Sequence, residues 1–244
     1  MHRTGSLYGQ FKTLEQQKDT ATLGMWIFLV TEVMFFGGIM LAYTINRHTY
    51  FHAFAMGSNT LSLQLGGFNT VVLLASSFTM AMAVWASQTS KKGLITLFLS
   101  LTILLGFVFF GVKYVEYAQK FHHHLVPGKN FDIFYCVNNP AKCEDIDAAD
   151  MAKEEELEVA AKADPDLNAH AQLYYSAYFG MTGLHALHMV IGAGLLFWLL
   201  KESFAGKFNA EWNNPVDIVG LYWHFVDIVW IYLFPLLYLI DRHK

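Results

Sequence analysis

Charge is what this sequence has least of. Only 15% of its 244 residues are Asp, Glu, Lys or Arg, against roughly 25% in an ordinary soluble domain. A surface built from so few charges does not stay wet, and 55% of the residues are hydrophobic. The length suits one or two soluble domains, but the apolar residues arrive in blocks too long for soluble helices. A formal charge of −4 leaves no basic footprint, which excludes a nucleic-acid binder. Two cysteines are too few for a disulfide scaffold or an all-cysteine zinc site. No Gly-rich phosphate loop follows a strand pattern, and no nucleophile elbow is present. A soluble enzyme is excluded on these grounds.

What is there in quantity is membrane-length apolar sequence. A bilayer core of about 30 Å needs roughly 20 apolar residues in a helix. Five stretches qualify: Leu23–Ile45, Gly66–Ala86, Leu94–Val112, Leu173–Leu200 and Val216–Ile240. The fold class expected is all-α, an integral membrane bundle of five transmembrane helices with one acidic extramembrane insertion. Residues 1–22 form a polar N-terminal segment, 23–120 the first three spans, 121–172 the insertion and 173–244 the last two spans. The first span is too long for a signal-peptide core and no small-residue cleavage site follows it, so it reads as an uncleaved membrane helix. Seven basic residues (Arg3, Lys12, Lys18, Lys91, Lys92, Lys201 and Lys207) fall on the N-terminal side, against Arg47, Arg242 and Lys244 in the short segments opposite. The positive-inside rule then places the N-terminus in the cytoplasm and the C-terminus in the periplasm of a bacterial inner membrane.

The insertion differs in kind. Between His122 and Gln172 eleven acids face four lysines, and Asp145–Ala163 reads as a solvated acidic helix ending near Pro165. Long loops cross a membrane largely regardless of charge, so the orientation stands. Cys136 and Cys143 both lie in this segment; in an oxidising periplasm they are expected either to close a short loop as a disulfide or to remain two thiols. The run His122–His124 reads as a solvated interfacial segment. No paired cysteines with a nearby His and Met offer a copper electron-entry centre.

Ionisable residues inside spans default to a functional hypothesis. Here they are Glu32 in the first span, His185 and His188 in the fourth, and His224 and Asp227 in the fifth. Each pair is spaced i, i+3 and shares a helix face. One reading is a metal or haem site, with ligands enough for a buried metal pair resembling the inward-facing ligands of di-iron bundles. The other is a set of hydrogen bonds across the bundle that specifies helix register. The second is favoured, because the di-iron pattern needs more carboxylates than are present. Lys113 and Glu116 are likewise spaced to meet on one face.

In order along the chain, five segments resemble subunit III of haem-copper terminal oxidases. Gly24–Gly38 (GMWIFLVTEVMFFGG) is similar to that family's glutamate-bearing helix. Asn69-Thr70 with Leu74-Ala-Ser-Ser77 resembles the next helix, and Tyr114-Val-Glu-Tyr117 its Glu-Tyr helix end. Gly183-Leu-His-Ala-Leu-His188 followed by Gly192 resembles the double-histidine helix. Tyr222-Trp-His-Phe-Val-Asp-Ile-Val-Trp230 resembles the terminal signature.

The resemblance implies a non-catalytic subunit of a proton-pumping oxidase, cytochrome c oxidase in the first reading, reducing oxygen to water. It implies no redox cofactor in this chain, with haem in subunit I, copper in subunit II and phospholipid bound alongside. It makes Glu32 the buried carboxylate with His188 or His185 as partner, and carries motif status to His224, Asp227, Trp230 and Glu116. Two features depart from the family pattern. Many relatives begin with a further two-helix bundle, which leaves the lipid cleft here either absent or completed by another subunit. The insertion has no recognised counterpart and is either a docking site for an additional partner or a solvated decoration. Within the family the alternatives are a quinol oxidase subunit or the accessory protein of a nitric oxide reductase. From other classes they are a stand-alone metalloenzyme using Glu32, His185, His188, His224 and Asp227 as ligands, or a small transporter with an intramembrane carboxylate relay.

Overall fold

The computed structural model describes residues 9–138, 161–162, 164–210 and 212–240. Cys143 lies outside them, as do Arg3, Arg242, Lys244 and all of the expected acidic helix Asp145–Ala163 except Ala161 and Lys162. The described chain is helical and contains no strand. Its elements are α1 (Leu14–Thr49), α2 (Phe51–Asn59), α3 (Leu63–Gln88), α4 (Lys92–His122), α5 (Tyr135–Asn138), α6 (Leu167–Phe204) and α7 (Asn214–Tyr238). Five of these, α1, α3, α4, α6 and α7, are long and apolar enough to cross a membrane.

Local chemistry explains where the helices begin. The Thr13 hydroxyl accepts the Gln16 N–H at 3.1 Å, while the Gln16 side chain accepts the Lys12 N–H at 2.9 Å. This arrangement satisfies donors at the start of α1. Pro215 occupies the first turn of α7, where its missing N–H removes no helix bond. The turn between α3 and α4 passes through Ser90 at φ 57°. Its hydroxyl accepts the Ala210 N–H at 2.8 Å, which ties that turn to the α6–α7 loop.

The helices extend past the apolar limits expected from sequence: α1 has 36 residues and α6 has 38. The short helix α2 is an addition that the span pattern does not reveal. Its residues Ala53–Ser58 are all buried, although they lie in what reads as a simple connection. The early insertion is also packed: Leu125, Phe131 and Ile133 are buried, and the Ile133 N–H donates to Asn168 Oδ1 at 3.1 Å.

Exposure is inverted relative to a soluble protein. Trp26, Ile27, Met34, Phe78 and Phe107 are all exposed, and only 11% of the apolar window in α1 is buried. In water such a surface drives association; against lipid tails it costs nothing.

The chain separates into two compact units. The first comprises Met1–Phe36, Asn69–Phe110 and His185–Ile231, and the second Gly37–Phe68, Gly111–Leu184 and Tyr232–Lys244. The first is centred on Trp223, fully buried with its indole N–H donating to Ser76 Oγ at 3.0 Å. Two glycines make room for that ring: a Cβ on Gly106 or Gly192 would lie 3.4 or 3.0 Å from its nearest atom. Between α3 and α4, the Thr79 and Thr102 hydroxyls meet at 2.8 Å; between α4 and α6, those of Thr96 and Ser203 do the same.

Tyrosines hold the second unit. Tyr43 and Tyr174 donate to the carbonyls of Leu236 and Leu237 at 2.9 and 3.0 Å, satisfying acceptors that the end of α7 leaves open. Tyr174 itself lies against α2, where a Cβ on Gly57 would come within 2.3 Å of its ring. That ring cannot yield without breaking its hydrogen bond. Gly57→Ala is therefore expected to destabilise by about 1–3 kcal/mol, the usual range for overpacking. Gly67→Ala, with nothing within 4 Å of the new Cβ, should be neutral. Thermal unfolding of the two variants in the same detergent makes the comparison.

Candidate functional site: intramembrane polar pairs

Within the first unit, the only carboxylate of the first expected span meets the second histidine of α6. Glu32 Oε2 lies 3.2 Å from His188 Nε2. The pair is held from α7 as well, because the Tyr222 hydroxyl donates to the His188 carbonyl at 3.0 Å. Phe36, one turn along α1 from Glu32, packs its ring 5.3 Å from the imidazole of His188. Glu32 is the tenth residue of a 23-residue span, about 15 Å along the helix at 1.5 Å per residue. An unpaired carboxyl at that depth would be costly, and the imidazole gives it a hydrogen-bond partner.

His185 does not share that pair. It is 1% exposed, with Phe109 of α4 at 5.6 Å and Trp230 of α7 at 5.2 Å between ring centroids. Trp230 in turn donates to Thr70 Oγ1 at 3.2 Å. Of the two partners expected for Glu32, the structure brings in His188 and sends His185 to an aromatic setting. The reason is angular: three residues advance a helix by about 300°, so two histidines on one broad face still point to different neighbours.

On α7, His224 Nδ1 is 2.7 Å from Ser77 Oγ of α3. Asp227, one turn further, is 1% exposed and lies beside Ser77. Neither of its carboxylate oxygens makes a hydrogen bond of normal geometry among the described residues. Glu32, His185, His188, His224 and Asp227 thus fall into three separate neighbourhoods. Among the described residues no group of three or more His, Cys, Asp or Glu side chains could hold a metal ion.

The second unit contains a densely bonded polar group. Lys113 Nζ donates to Glu116 Oε2 at 2.9 Å and to the Tyr238 hydroxyl at 2.7 Å. Glu116 Oε1 accepts from the hydroxyls of Tyr178, at 2.8 Å, and of Tyr238. The Lys113–Glu116 pairing is legible from its i, i+3 spacing. Its tyrosine partners on α6 and α7 are not, because nothing in the spacing distinguishes Tyr178 from the nearby Tyr174 and Tyr175. Ser77 and Tyr222 are further partners visible only in hindsight; the available signal was a polar group at a helical repeat within an apolar span. Around the insertion, Cys136 lies in α5. His124 packs on Tyr135, and His170 pairs with Asp164 at 2.6 Å while stacking on Tyr50.

Comparison with known proteins adds to this geometry. The family model described as cytochrome c oxidase subunit III matches residues 1–135 and 163–241, on both sides of the acidic stretch. A protein of Staphylococcus haemolyticus named "Probable quinol oxidase subunit 3" is 28% identical over 219 residues, which cover 89% of this chain and 88% of that one. Its namesake in Staphylococcus saprophyticus is 27% identical over 231 residues, covering 93% and 94%. Another, in Staphylococcus aureus strain USA300, is 27% identical over 221 residues, covering 89% and 88%.

The Glu32–His188 contact yields a direct test. Glu32→Gln keeps the shape and a hydrogen-bonding end, and should leave the fold intact. Glu32→Ala removes the partner of a largely buried imidazole and opens a cavity, at a cost of about 1–3 kcal/mol. Denaturation midpoints of the two variants beside the wild type read the difference; equal midpoints would make Glu32 a bystander.

Proposed function

The chain belongs to the cytochrome c oxidase subunit III family, a family of the haem-copper oxidases, and from that premise we propose that it is the non-catalytic third subunit of a proton-pumping terminal oxidase. The observation that carries this reading is the family match on both flanks of the insertion, over the helices that hold Glu32, His188, Glu116 and His224. In this role the chain packs on a haem-bearing subunit I beside a copper-bearing subunit II. It retains phospholipid and supports proton uptake, while oxygen reduction proceeds on metals held by its partners. The polar residues of its spans favour such a division of labour: among the described residues they are spent on pairing helices and do not converge on one centre.

Cytochrome c is the electron donor in our first reading. The second reading, a quinol, draws on the relatives' names, which come from proteins aligned over nearly their whole length. Purification in mild detergent tests the role and the donor together. The expected result is that haem-bearing subunits copurify, that the chain separated from them carries no stoichiometric haem or copper, and that the intact complex oxidises reduced cytochrome c. Oxidation of quinol alone would select the second reading; stoichiometric metal on the isolated chain would refute the subunit reading.

We place the N-terminus in the cytoplasm of a bacterial cell and the insertion in the periplasm, with Cys136 bonded to Cys143 and the acidic stretch available to an additional partner. Intact cells should then bind an impermeant thiol reagent only after reduction. Labelling that needs a broken membrane would reverse the orientation, and labelling without reductant would refute the bond.

A further inference from the structure

The imidazole of His224 is half-satisfied at the surface of the first unit. α7 is buried along most of its circumference, but an outward stripe runs through Leu221, His224, Ile228 and Ile231 at helical spacing, with Ile228 and Ile231 exposed. α1 flanks the stripe, reached through the Phe36–Phe225 ring pair at 6.3 Å. α3 flanks it too, through the Ser77–His224 hydrogen bond. On α3 the neighbouring surface is Leu74, Ala75 and Phe78, all exposed. The small side chain of Ala75 leaves room for close approach of a helix backbone.

His224 is partly exposed in the middle of this apolar stripe. Its Nδ1 is engaged by Ser77, and Nε2 has no partner among the described residues. Whichever tautomer is present, Nε2 is one half of an unmade hydrogen bond. His224 is the ninth residue of the span beginning at Val216, about 12 Å along the helix, where neither water nor lipid headgroups reach and acyl chains offer no partner. Short hydroxyl side chains elsewhere in the spans bond their own helix, which the imidazole of His224 does not do. The hydroxyls of Thr31 and Ser100 donate to their own helices, to the Phe28 and Thr96 carbonyls at 2.6 and 2.9 Å. Asp227 is sealed inside beside Ser77, so the polar run Asp227, Ser77, His224 leads from the interior to the surface, where Ser77 and His224 are both partly exposed.

We infer that the α7 stripe around His224 is the face that docks on the haem-bearing subunit, receiving a transmembrane helix whose polar side chain completes the hydrogen bond at His224 Nε2. Apolar contact along Leu221, Ile228 and Ile231 supplies the area, and the imidazole sets the register, because a slip of one turn leaves two polar groups unpaired in lipid. This inference rests on the oxidase-subunit reading and assigns the contact face that the reading leaves open.

The test uses the assembled complex. A benzophenone side chain is placed at Ile228, in a chain otherwise unaltered, and for comparison at Ile191 on α6, which is also exposed. After irradiation, the product at 228 is expected to be a transmembrane segment of the haem-bearing subunit, linked within one turn of a polar residue; that at 191 is expected to be lipid or detergent. His224→Phe should lose the chain from the complex about tenfold faster in detergent, the scale of one unmade hydrogen bond, while His224→Gln, which keeps a polar group there, should retain it. Links from 228 only to lipid or to a second copy of this chain would overturn the assignment, as would wild-type retention of His224→Phe. If no haem-bearing chain copurifies at all, the subunit reading fails first and this assignment fails with it.

Discussion

Glu116 is a carboxylate almost wholly removed from solvent, and the second unit is arranged around what that burial demands. A lone charge in such a place carries a penalty of several kcal/mol. Here the carboxylate is matched by the Lys113 ammonium from its own helix and by the hydroxyls of Tyr178 and Tyr238. Those two tyrosines come from α6 and α7, so satisfying one side chain aligns three helices. Once Tyr238 is placed, the end of α7 lies where Tyr43 and Tyr174 reach its last carbonyls. Removing one member of such a set typically costs about 3–5 kcal/mol, whereas replacing the whole set by apolar residues of equal volume is often neutral. What the network contributes is therefore the choice of one helix register among several that lipid would tolerate equally.

The first unit reaches the same end by different chemistry. It has no buried lysine; its helices are registered by indole and hydroxyl groups, with Trp223 on Ser76, Trp230 on Thr70 and the paired threonines between α3 and α4. Glycine decides where the large rings go, since Gly106 and Gly192 border Trp223 closely enough that added side chains would crowd it. With the interior committed in this way, Glu32, His188 and His224 act as single contacts on separate helix pairs. The outcome is an exterior that is largely apolar and suited to lipid.

Some of the pairing was readable before any coordinates. Lys113 and Glu116 stand three apart at the end of an apolar run, and i, i+3 neighbours on a helix meet whatever the tertiary fold. Glu32 was readable as a group needing a partner, because a carboxyl ten residues into a span has no solvent to satisfy it. Which histidine answers it was not, since His185 and His188 differ only in the direction they take from α6, and that depends on how α1 and α7 lie beside it. The helix α2 escaped notice for a related reason: nine residues of mixed polarity give no length signal, and their burial depends on Tyr174, more than a hundred residues away in sequence.

By itself the sequence determined the solvent and the secondary structure. Five apolar stretches of bilayer length, in a chain with so little charge, have one economical solution, because backbone groups in lipid must bond within their own helix. It also determined which side chains would be in difficulty there, since a charge or imidazole within a span is costly wherever the helix packs. The tertiary structure alone decided who relieves each of them: His188 for Glu32, two distant tyrosines for Glu116, Ser77 for one nitrogen of His224. Those pairings depend on helix rotation and register, which lipid-facing apolar residues leave almost free, because one hydrocarbon neighbour is as good as another.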